Sequence, residues 1–295
     1  MRTSKLKLTI AIVVSAISMN WTQPNAGAAQ LHVEQLSPQP GDIITLTVVP
    51  DAGETIEDVR MSAFDTARVK FYPRGDGSRR GFVGYPFDRT GGRVTLGAET
   101  EIGGRWQTLH ATFVGRSRDF PTQHITMNGG TASKMSEKDA LHNEKLLVQG
   151  TMQNSNPEPL WLGDWIVPAP GQSTSSYGRK RYVNGKWWGQ HNGADIKAGT
   201  GTPIHVSNAG RVVLSEYLPT LRGNCIVVDH GCNVFSVYMH MSRRLVNVGD
   251  SVGKGQLIGL VGATGFVTGP HLHWEVRIGW EPVDPNRVVA RGLSF

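Results

Sequence analysis

The stretch G-P-H-L-H-W-E-V-R, residues 269–277, places two histidines one residue apart at the start of an apolar and aromatic run. Side chains two residues apart in a β-strand point to the same face of the sheet. If this stretch is a strand, His271 and His273 share one face, and Leu272 and Trp274 pack on the other. The pair alone is weak evidence for a metal site, because histidine also serves as a surface or core residue.

Further candidate ligands lie in the same half of the chain. His191 and Asp195 stand four residues apart in Q-H-N-G-A-D, and His240 follows an apolar segment in Y-M-H-M. Two imidazoles and one carboxylate are a ligand set of catalytic zinc, which leaves the fourth position open for water. Zinc lowers the pKa of that water toward about 7 and polarises a scissile carbonyl. Two more histidines can act as base and as transition-state stabiliser.

Residues 161–295 have the pattern of an all-β domain. Gly-rich turns such as A-G-T-G-T-P and G-A-T-G separate short apolar segments. These turns leave no room for crossover helices, so we expect a mainly antiparallel sheet. The apolar segments are 212–214, 226–228, 234–239, 257–261 and 272–278.

Residues 29–118 are predicted to form a separate β-sandwich domain, immunoglobulin-like in size and pattern. Ile44, Leu46 and Val48 alternate with threonines, and the same alternation surrounds Leu109. Short alternating strands with Gly-rich turns are typical of such sandwiches. The segment has no cluster of catalytic residue types, so we interpret it as a binding, positioning or inhibitory module.

Residues 119–160 are predicted to be a connector with one short helix. Ser136, followed by Glu137 and Asp139, resembles a capping box, and Gly150 marks the predicted helix end. A polar, proline-punctuated linker then leads to the second domain near residue 160.

Residues 1–28 read as a secretory signal peptide. A basic start precedes an apolar stretch at residues 8–19, and A-G-A at 26–28 offers a cleavage site. An uncleaved N-terminal anchor is the alternative, although the apolar stretch is short for a membrane span. The rest of the sequence has no other apolar run near membrane length. We therefore expect an exported protein without stable membrane insertion after signal cleavage.

The formal net charge of +6 favours polyanionic partners, among them nucleic acid, acidic lipid and anionic cell wall. No nucleic-acid-binding motif accompanies the charge, so we expect no nucleic-acid partner. The two cysteines, Cys225 and Cys232, lie in a hairpin pattern that holds their Cα atoms too far apart for good disulfide geometry. An oxidising compartment favours the opposite outcome, and the sequence leaves the pairing open.

The order of these motifs resembles the LytM/lysostaphin-type zinc endopeptidases, which cut peptides of peptidoglycan. The resemblance covers residues 161–285, nearly all of the second domain. Several ordered motifs with fitting separations are a specific signal, although no single one would be. The matching motifs are S-Y-G-R (176–179), H-N-G-A-D (191–195), G-T-P-I (201–204), G-N-C-I-V-V-D-H-G (223–231), Y-M-H-M (238–241), V-G-D-S-V-G-K-G-Q-L-I-G (248–259) and T-G-P-H-L-H-W-E (268–275).

The resemblance implies that His191, Asp195 and His273 bind one Zn²⁺ per chain. It also implies that His240 and His271 are the catalytic pair. His271 would orient and deprotonate the water, and His240 would hydrogen-bond the developing oxyanion or assist proton transfer. The family fold is an antiparallel β-sheet domain with the site in a groove across the sheet.

Substrate contacts are less determined. Arg179 is a candidate for binding a substrate carboxylate, with pairing to a structural acid as an equal alternative. Trp188, together with Trp187, lies in a loop just before His191, and both could line the groove or pack the domain. Glu275 shares the face of His273, either supporting it or exposed to solvent.

The remaining histidines are expected to have no part in the site. His205 has no partner in the motifs, and His230 falls at a predicted hairpin turn. The histidines outside the second domain are also interpreted as structural or surface residues. They are His32, His110, His124 and His142.

The sequence thus predicts an exported zinc metalloendopeptidase that acts on peptidoglycan, in the periplasm or outside the cell. D-alanyl–diaminopimelyl cross-links and glycine bridges both fit such a site. We favour the cross-links because no wall-targeting domain follows the second domain. The alternative is a catalytically silent wall-binding protein, or an activator of other wall hydrolases, on the same fold. The N-terminal domain and connector are expected to cover the groove until they are removed.

Overall fold

The alternating segments near the N-terminus form strands, as predicted. The structure is a computed structural model that describes residues 29–64 and 67–295, so the predicted signal peptide lies outside the described residues. Ile44, Leu46 and Val48 are fully buried along one strand. The N-terminal strands are β1 (Gln30–Val33), β2 (Ile43–Val49), β3 (Ile56–Arg60), β4 (Ser62–Ala63), β5 (Ala67–Arg68), β6 (Phe71–Pro73), β7 (Arg79–Gly84), β8 (Gly92–Ile102) and β9 (Arg105–Gly115).

These strands form two sheets around one apolar core. The sheet orders are β1-β2-β7-β6 and β3-β8-β9, with β4 and β5 as a short separate pair. Ile44 and Leu46 from the first sheet share the core with Leu96 and Phe113 from the second. The two orders correspond to the A-B-E-D and C-F-G sheets of a constant-type immunoglobulin sandwich. The strand order is therefore compatible with the predicted immunoglobulin-like sandwich.

The connector contains more structure than predicted. Its elements are β10 (Thr122–Ile125), α1 (Gly129–Ala132), a 3-10 turn (Ser133–Ser136) and α2 (Lys138–Thr151). Helix α2 begins after Glu137, so the prediction of Ser136 as its capping residue is wrong. The Ser136 hydroxyl instead donates to the carbonyl of Ser133, within the preceding turn. The helix also continues one residue past Gly150, the predicted end.

The C-terminal domain is built on an antiparallel sheet of eight strands, which confirms the predicted all-β class. The sheet order is β11-β14-β22-β18-β17-β16-β20, with β23 beside β22. Further sheets are β15-β21-β19 and β10-β12-β13, and only the pairing of β10 with β12 is parallel. The elements are β11 (Gln172–Ser175), β12 (Lys180–Val183), β13 (Lys186–Gln190), β14 (Ala194–Lys197), β15 (Pro203–His205), β16 (Gly210–Leu218), β17 (Gly223–Asp229), β18 (Val234–Met241), β19 (Arg243–Arg244), β20 (Ser251–Val252), β21 (Leu257–Leu260), β22 (His271–Ile278), β23 (Glu281–Val283) and α3 (Pro285–Arg291).

The central strands place the predicted core side chains as expected. Leu272 and Trp274 on β22 are fully buried in the main core of the domain. Cys225 lies on β17 and Cys232 at the turn after it, and both are buried free cysteines. Among the described residues, no helix has the length and apolarity to cross a membrane.

The sandwich packs against the C-terminal domain around α3 and β23. Asp42 is 2% exposed and accepts hydrogen bonds from Arg287 and, at 2.9 Å, from Nη1 of Arg291. Arg118 Nη2 pairs with Asp284 Oδ2 at 2.8 Å. In these ion pairs the carboxylates are buried and the arginines partly exposed; such pairs add little net stability, but breaking one leaves a buried carboxylate unpaired. They therefore favour one relative orientation of the two domains.

Glu281 is a half-buried acid at this interface. A Cβ on Gly84 of the sandwich would lie only 2.8 Å from Glu281 Cγ, so the acid packs directly on that glycine. Burial raises the pKa of Glu281 to about 7; Arg277 opposes the rise and Asp88 adds to it. The folded protein therefore holds a proton that the unfolded chain releases at lower pH. Because the folded state binds more protons between pH 4.5 and about 7, this group makes folding less favourable as pH rises.

The variant Glu281→Gln removes this titration. Between pH 5 and pH 8 the titration of Glu281 lowers the unfolding free energy of the wild type. We expect that of Glu281→Gln to fall by roughly 2 kcal/mol less over the same range. Denaturant unfolding at the two pH values measures the change, with exposed Glu216→Gln as the matched control. An equal difference between Glu281→Gln and wild type at both pH values would contradict it.

Candidate metal centre and active site

The register of two neighbouring strands builds the centre of the site. In the antiparallel pair β14 and β22, Asp195 lies opposite His273 and Lys197 lies opposite His271. Alternate residues of a strand share a face, so these four side chains lie on the same side of the sheet. Gly193 allows the close approach just before β14, since a Cβ there would lie 2.2 Å from the Trp274 carbonyl oxygen.

His191, Asp195 and His273 converge as the predicted ligand set. His191 Nε2 lies 3.0 Å from Asp195 Oδ1 and 2.9 Å from His273 Nδ1, and His273 Nδ1 lies 2.8 Å from the same carboxylate oxygen. All three residues are buried. Among the described residues they are the one group of histidines, cysteines and acids whose ligand atoms lie within 4.8 Å of one another. Two imidazole nitrogens and a carboxylate oxygen form a donor set that fits zinc.

Outward hydrogen bonds orient both ligand imidazoles. His191 Nδ1 donates to the Ser176 carbonyl oxygen at 2.9 Å, which leaves Nε2 as the inward atom. His273 Nε2 donates to Glu275 Oε1 at 2.9 Å, which leaves Nδ1 inward. Such outer partners fix the tautomer and ring orientation of metal-binding histidines. The carbonyl and the carboxylate therefore preset the two nitrogens toward a shared cation.

The charge states also suit a cation. Burial lowers the pKa of His191 to about 4, so its ring is neutral at pH 7. Burial works to raise the pKa of Asp195, but His191 and His273 hold that pKa well below its ordinary value. Burial works to lower the pKa of His273, and its hydrogen bonds to Asp195 and Glu275 outweigh this and raise it. A proton on His273 therefore competes with a metal ion for Nδ1.

His240 and His271 stand together beside the ligand set. Their ring centroids are 4.9 Å apart, and His271 Nε2 lies 3.8 Å from Asp195 Oδ1. His240 Nδ1 donates to the Thr264 carbonyl oxygen and His271 Nδ1 to that of Gly269, both at 2.9 Å. Burial lowers the pKa of each ring below its ordinary value. Both rings are thus neutral at pH 7, with Nε2 able to accept a proton.

Comparison with known proteins identifies this domain. The model of "Peptidase family M23" matches residues 189–285, the segment that holds all five of these histidine and aspartate side chains. The C-terminal domain belongs to peptidase family M23. This confirms the LytM-type resemblance and makes this part of the chain a metallopeptidase domain.

Two curated relatives and one solved structure illustrate the similarity. Peptidoglycan DD-endopeptidase ShyA of Vibrio cholerae is 45% identical over 94 residues, covering 32% of this chain and 22% of ShyA. Peptidoglycan DD-endopeptidase ShyC of the same organism is 31% identical over 193 residues, covering 64% of this chain and 39% of ShyC. The matches thus span less than two fifths of these relatives. A crystal structure from Pseudomonas aeruginosa assigned to peptidase M23 covers 85% of this chain and 95% of its own, with a TM-score of 0.61 and 23% identity, and shows the shared fold.

A groove of about 660 Å³ crosses the M23 domain over the ligand set. Trp188 lines it and stacks on Phe266, with ring centroids 4.8 Å apart. Its neighbour Trp187 is 55% exposed and does not line the groove. Both tryptophans lie on strand β13, so the predicted loop is wrong, and only Trp188 lines the groove.

The arginine beside the ligands is Arg181 rather than Arg179. Arg181 Nη2 pairs with Asp195 Oδ2 and lies 2.9 Å from the Ser175 hydroxyl, and Arg181 lines the groove. Arg179 is not among the groove-lining residues. Arg179 was the sequence-based candidate and closes the motif S-Y-G-R. Arg181 lies two residues later, on β12. It can be recognised as a partner of Asp195 only from the structure, which places β12 near β14.

The connector forms one wall of the groove, and the sandwich does not. Residues 123–127 of the connector line the groove, whereas none of the described residues of 29–118 does. His124 is one of these wall residues and stacks on Tyr182, with centroids 5.4 Å apart. The expectation that His124 lies away from the site is therefore wrong. It failed because β10 pairs with β12, whose residues lie 58 positions later along the chain.

The other uncertain side chains are now placed. Glu275 is 2% exposed, and its second oxygen accepts from Arg277 Nε at 2.5 Å, so the exposed alternative is wrong. His230 is buried in the core, with Nδ1 donating to the Ala209 carbonyl oxygen and Nε2 2.7 Å from the Ser236 hydroxyl. His205 lies on β15, outside the groove.

Glu275→Gln tests the orientation of the candidate ligand His273. The amide keeps an acceptor oxygen but leaves the Arg277 charge buried without its carboxylate, so we expect the Kd for zinc to rise about 10–100-fold. Competition with a chromophoric chelator measures this Kd, and circular dichroism checks folding. Exposed Glu216→Gln should bind zinc like the wild type. An unchanged Kd in folded Glu275→Gln would contradict this role.

Proposed function

We propose that the protein is an exported, zinc-dependent endopeptidase that hydrolyses peptide bonds of peptidoglycan, with one Zn²⁺ per chain. The observation that carries the proposal is the convergence of His191, Asp195 and His273 beside two neutral histidines in an open groove. A catalytically silent relative would not need five preoriented groups. The intact set therefore supports the enzyme over a silent wall-binding protein or an activator of other hydrolases.

Each histidine of the second pair suits a separate task. When bound, zinc polarises the scissile carbonyl and makes a water molecule more acidic. His271, close to Asp195 and neutral at pH 7, is the general base that takes the proton from the attacking water. His240, held by the Thr264 carbonyl and adjacent to His271, takes up the proton removed from the water, donates it as a hydrogen bond to the developing oxyanion and delivers it to the leaving amine.

The cleaved bond is proposed to be the D-alanyl–diaminopimelyl cross-link. ShyA and ShyC are named DD-endopeptidases, which supports a bond between D-configured centres. Lys197 lines the groove opposite His271 and is exposed. In this cross-link the carbon bearing the scissile amide nitrogen also carries a free carboxylate, which a glycine bridge lacks. A lysine ammonium beside the base is well placed to bind that carboxylate.

Export is proposed from the order of features at residues 1–28, and peptidoglycan is then the partner that the exported protein meets. The net charge of +6 supports the same partner, because the wall is anionic. Periplasmic and extracellular locations both agree with this proposal.

Digestion of purified peptidoglycan tests the activity. We expect the zinc-loaded protein to convert cross-linked dimers to monomers, identified by mass. His271→Ala should keep its zinc but lose about 10²–10⁴-fold in kcat, the usual contribution of a general base. His273→Ala should lose both zinc and activity. A fully zinc-loaded wild type that releases no product would contradict the proposed enzyme and favour the silent alternative.

Lys197→Ala tests the proposed bond. We expect KM for cross-linked dimers to rise about ten-fold, since one charge-assisted contact of about 1.4 kcal/mol is lost. Dimers whose adjacent carboxylate is amidated should be bound equally poorly by wild type and variant. Lys186→Ala, exposed and outside the groove, is the control. A KM unchanged by Lys197→Ala would contradict carboxylate recognition here.

A further inference from the structure

A buried acid on the connector helix, outside the M23-matched segment, contacts a turn whose residues Leu221 and Arg222 line the groove. Glu144 on α2 is 7% exposed. Its carboxylate accepts hydrogen bonds from three successive backbone N–H groups, those of Thr220 at 2.6 Å, Leu221 at 3.1 Å and Arg222 at 3.4 Å. Hydrogen bonds to an ionised acceptor are about twice as strong as neutral ones. One side chain therefore binds three successive amides of the turn between β16 and β17, while Lys134 donates to the Pro219 carbonyl oxygen and Glu137 accepts from the Thr220 hydroxyl.

Pairing with Arg222 does not by itself account for Glu144. The Arg222 Nη1 lies 3.4 Å from Glu144 Oε2, a longer contact than the two shortest amide bonds. The Arg222 Nε has no hydrogen-bond partner within the described part of the chain. A carboxylate placed only to neutralise this arginine would satisfy the guanidinium first. The Glu144 carboxylate instead lies closer to the backbone amides than to the guanidinium.

The same turn is hydrogen-bonded to two groove residues, His240 and Phe266. The Arg222 carbonyl oxygen accepts from the backbone N–H of His240 at 2.9 Å, and the Leu221 carbonyl oxygen accepts from that of Phe266 at 2.9 Å. Phe266 is the ring on which Trp188 stacks. The amides of Leu221 and Arg222 are thus held by Glu144, while their carbonyls hold one catalytic histidine and one groove wall.

His240 needs such a restraint because its backbone is strained. Its φ of +66° lies in the left-handed region, which side chains other than glycine seldom adopt. Strained conformations of this kind persist only where the surroundings over-determine them. The Arg222 carbonyl fixes the backbone of His240, and the Thr264 carbonyl fixes its ring.

We propose that Glu144 is a positioning residue that holds His240 and Phe266 in place through the turn at residues 220–222. The connector helix is then part of the working peptidase unit rather than a cover over it. The effect on catalysis rests on the proposed endopeptidase function, but the effect on the turn does not.

The test compares Glu144→Gln and Glu144→Ala in the full chain with exposed Glu216→Gln. Hydrogen exchange should be at least about ten-fold faster at the amides of 220–222, and also faster at those of His240 and Phe266. Zinc content should stay at the wild-type level, and kcat for cross-linked dimers should fall about ten-fold or more. Glu144→Gln, which keeps one acceptor oxygen and the side-chain volume, should fall between wild type and Glu144→Ala. Glu216→Gln should match the wild type.

A merely structural Glu144 would lower the unfolding midpoint without changing exchange at His240 and Phe266 and without changing kcat. That result in zinc-loaded Glu144→Gln would overturn the proposal, and this variant serves if Glu144→Ala fails to fold. A wild type without activity would reject the proposed function. Hydrogen exchange at His240 and Phe266 would then still decide whether Glu144 holds them.

Discussion

The site depends on one strand register, the pairing of Asp195 on β14 with His273 on β22. A slip of one residue would turn every side chain of one strand to the other face and separate these two candidate metal ligands. The fully buried Trp274 and Leu272 prevent such a slip, because it would carry their large apolar side chains out of the core. Packing on one face of β22 thus determines the chemistry on the other face.

Around this register, each functional imidazole is fixed by an acceptor on its far side. Two backbone carbonyls and Glu275 hold His191, His240 and His273, and a third carbonyl holds His271. Burial keeps three of the four rings neutral, whereas two carboxylates raise the pKa of His273. A buried cluster of this kind, with nitrogens facing one another across 2.9 Å, is best satisfied by a cation.

The sequence predicts the centre of the site well because its determinants are local. Alternation along a strand is enough to put His271 and His273 on one face, and ordered motifs are enough to group them with His191. The residues that the sequence missed are joined to the site by long-range contacts. Arg181 meets Asp195 only after β12 folds beside it, and Glu144 lies 76 residues before Thr220 along the chain. The prediction of Ser136 as a helix cap failed for a different reason. Its hydroxyl donates to the Ser133 carbonyl within a 3-10 turn and so does not cap α2.

X-ray absorption at the zinc edge of the full-length protein tests the central claim most directly. The account predicts one zinc per chain, bound by two imidazole nitrogens and one carboxylate oxygen at about 2.0–2.2 Å. His191→Ala should lose that spectrum. Substoichiometric zinc, or a spectrum that His191→Ala leaves unchanged, would contradict a metal centre at His191, Asp195 and His273.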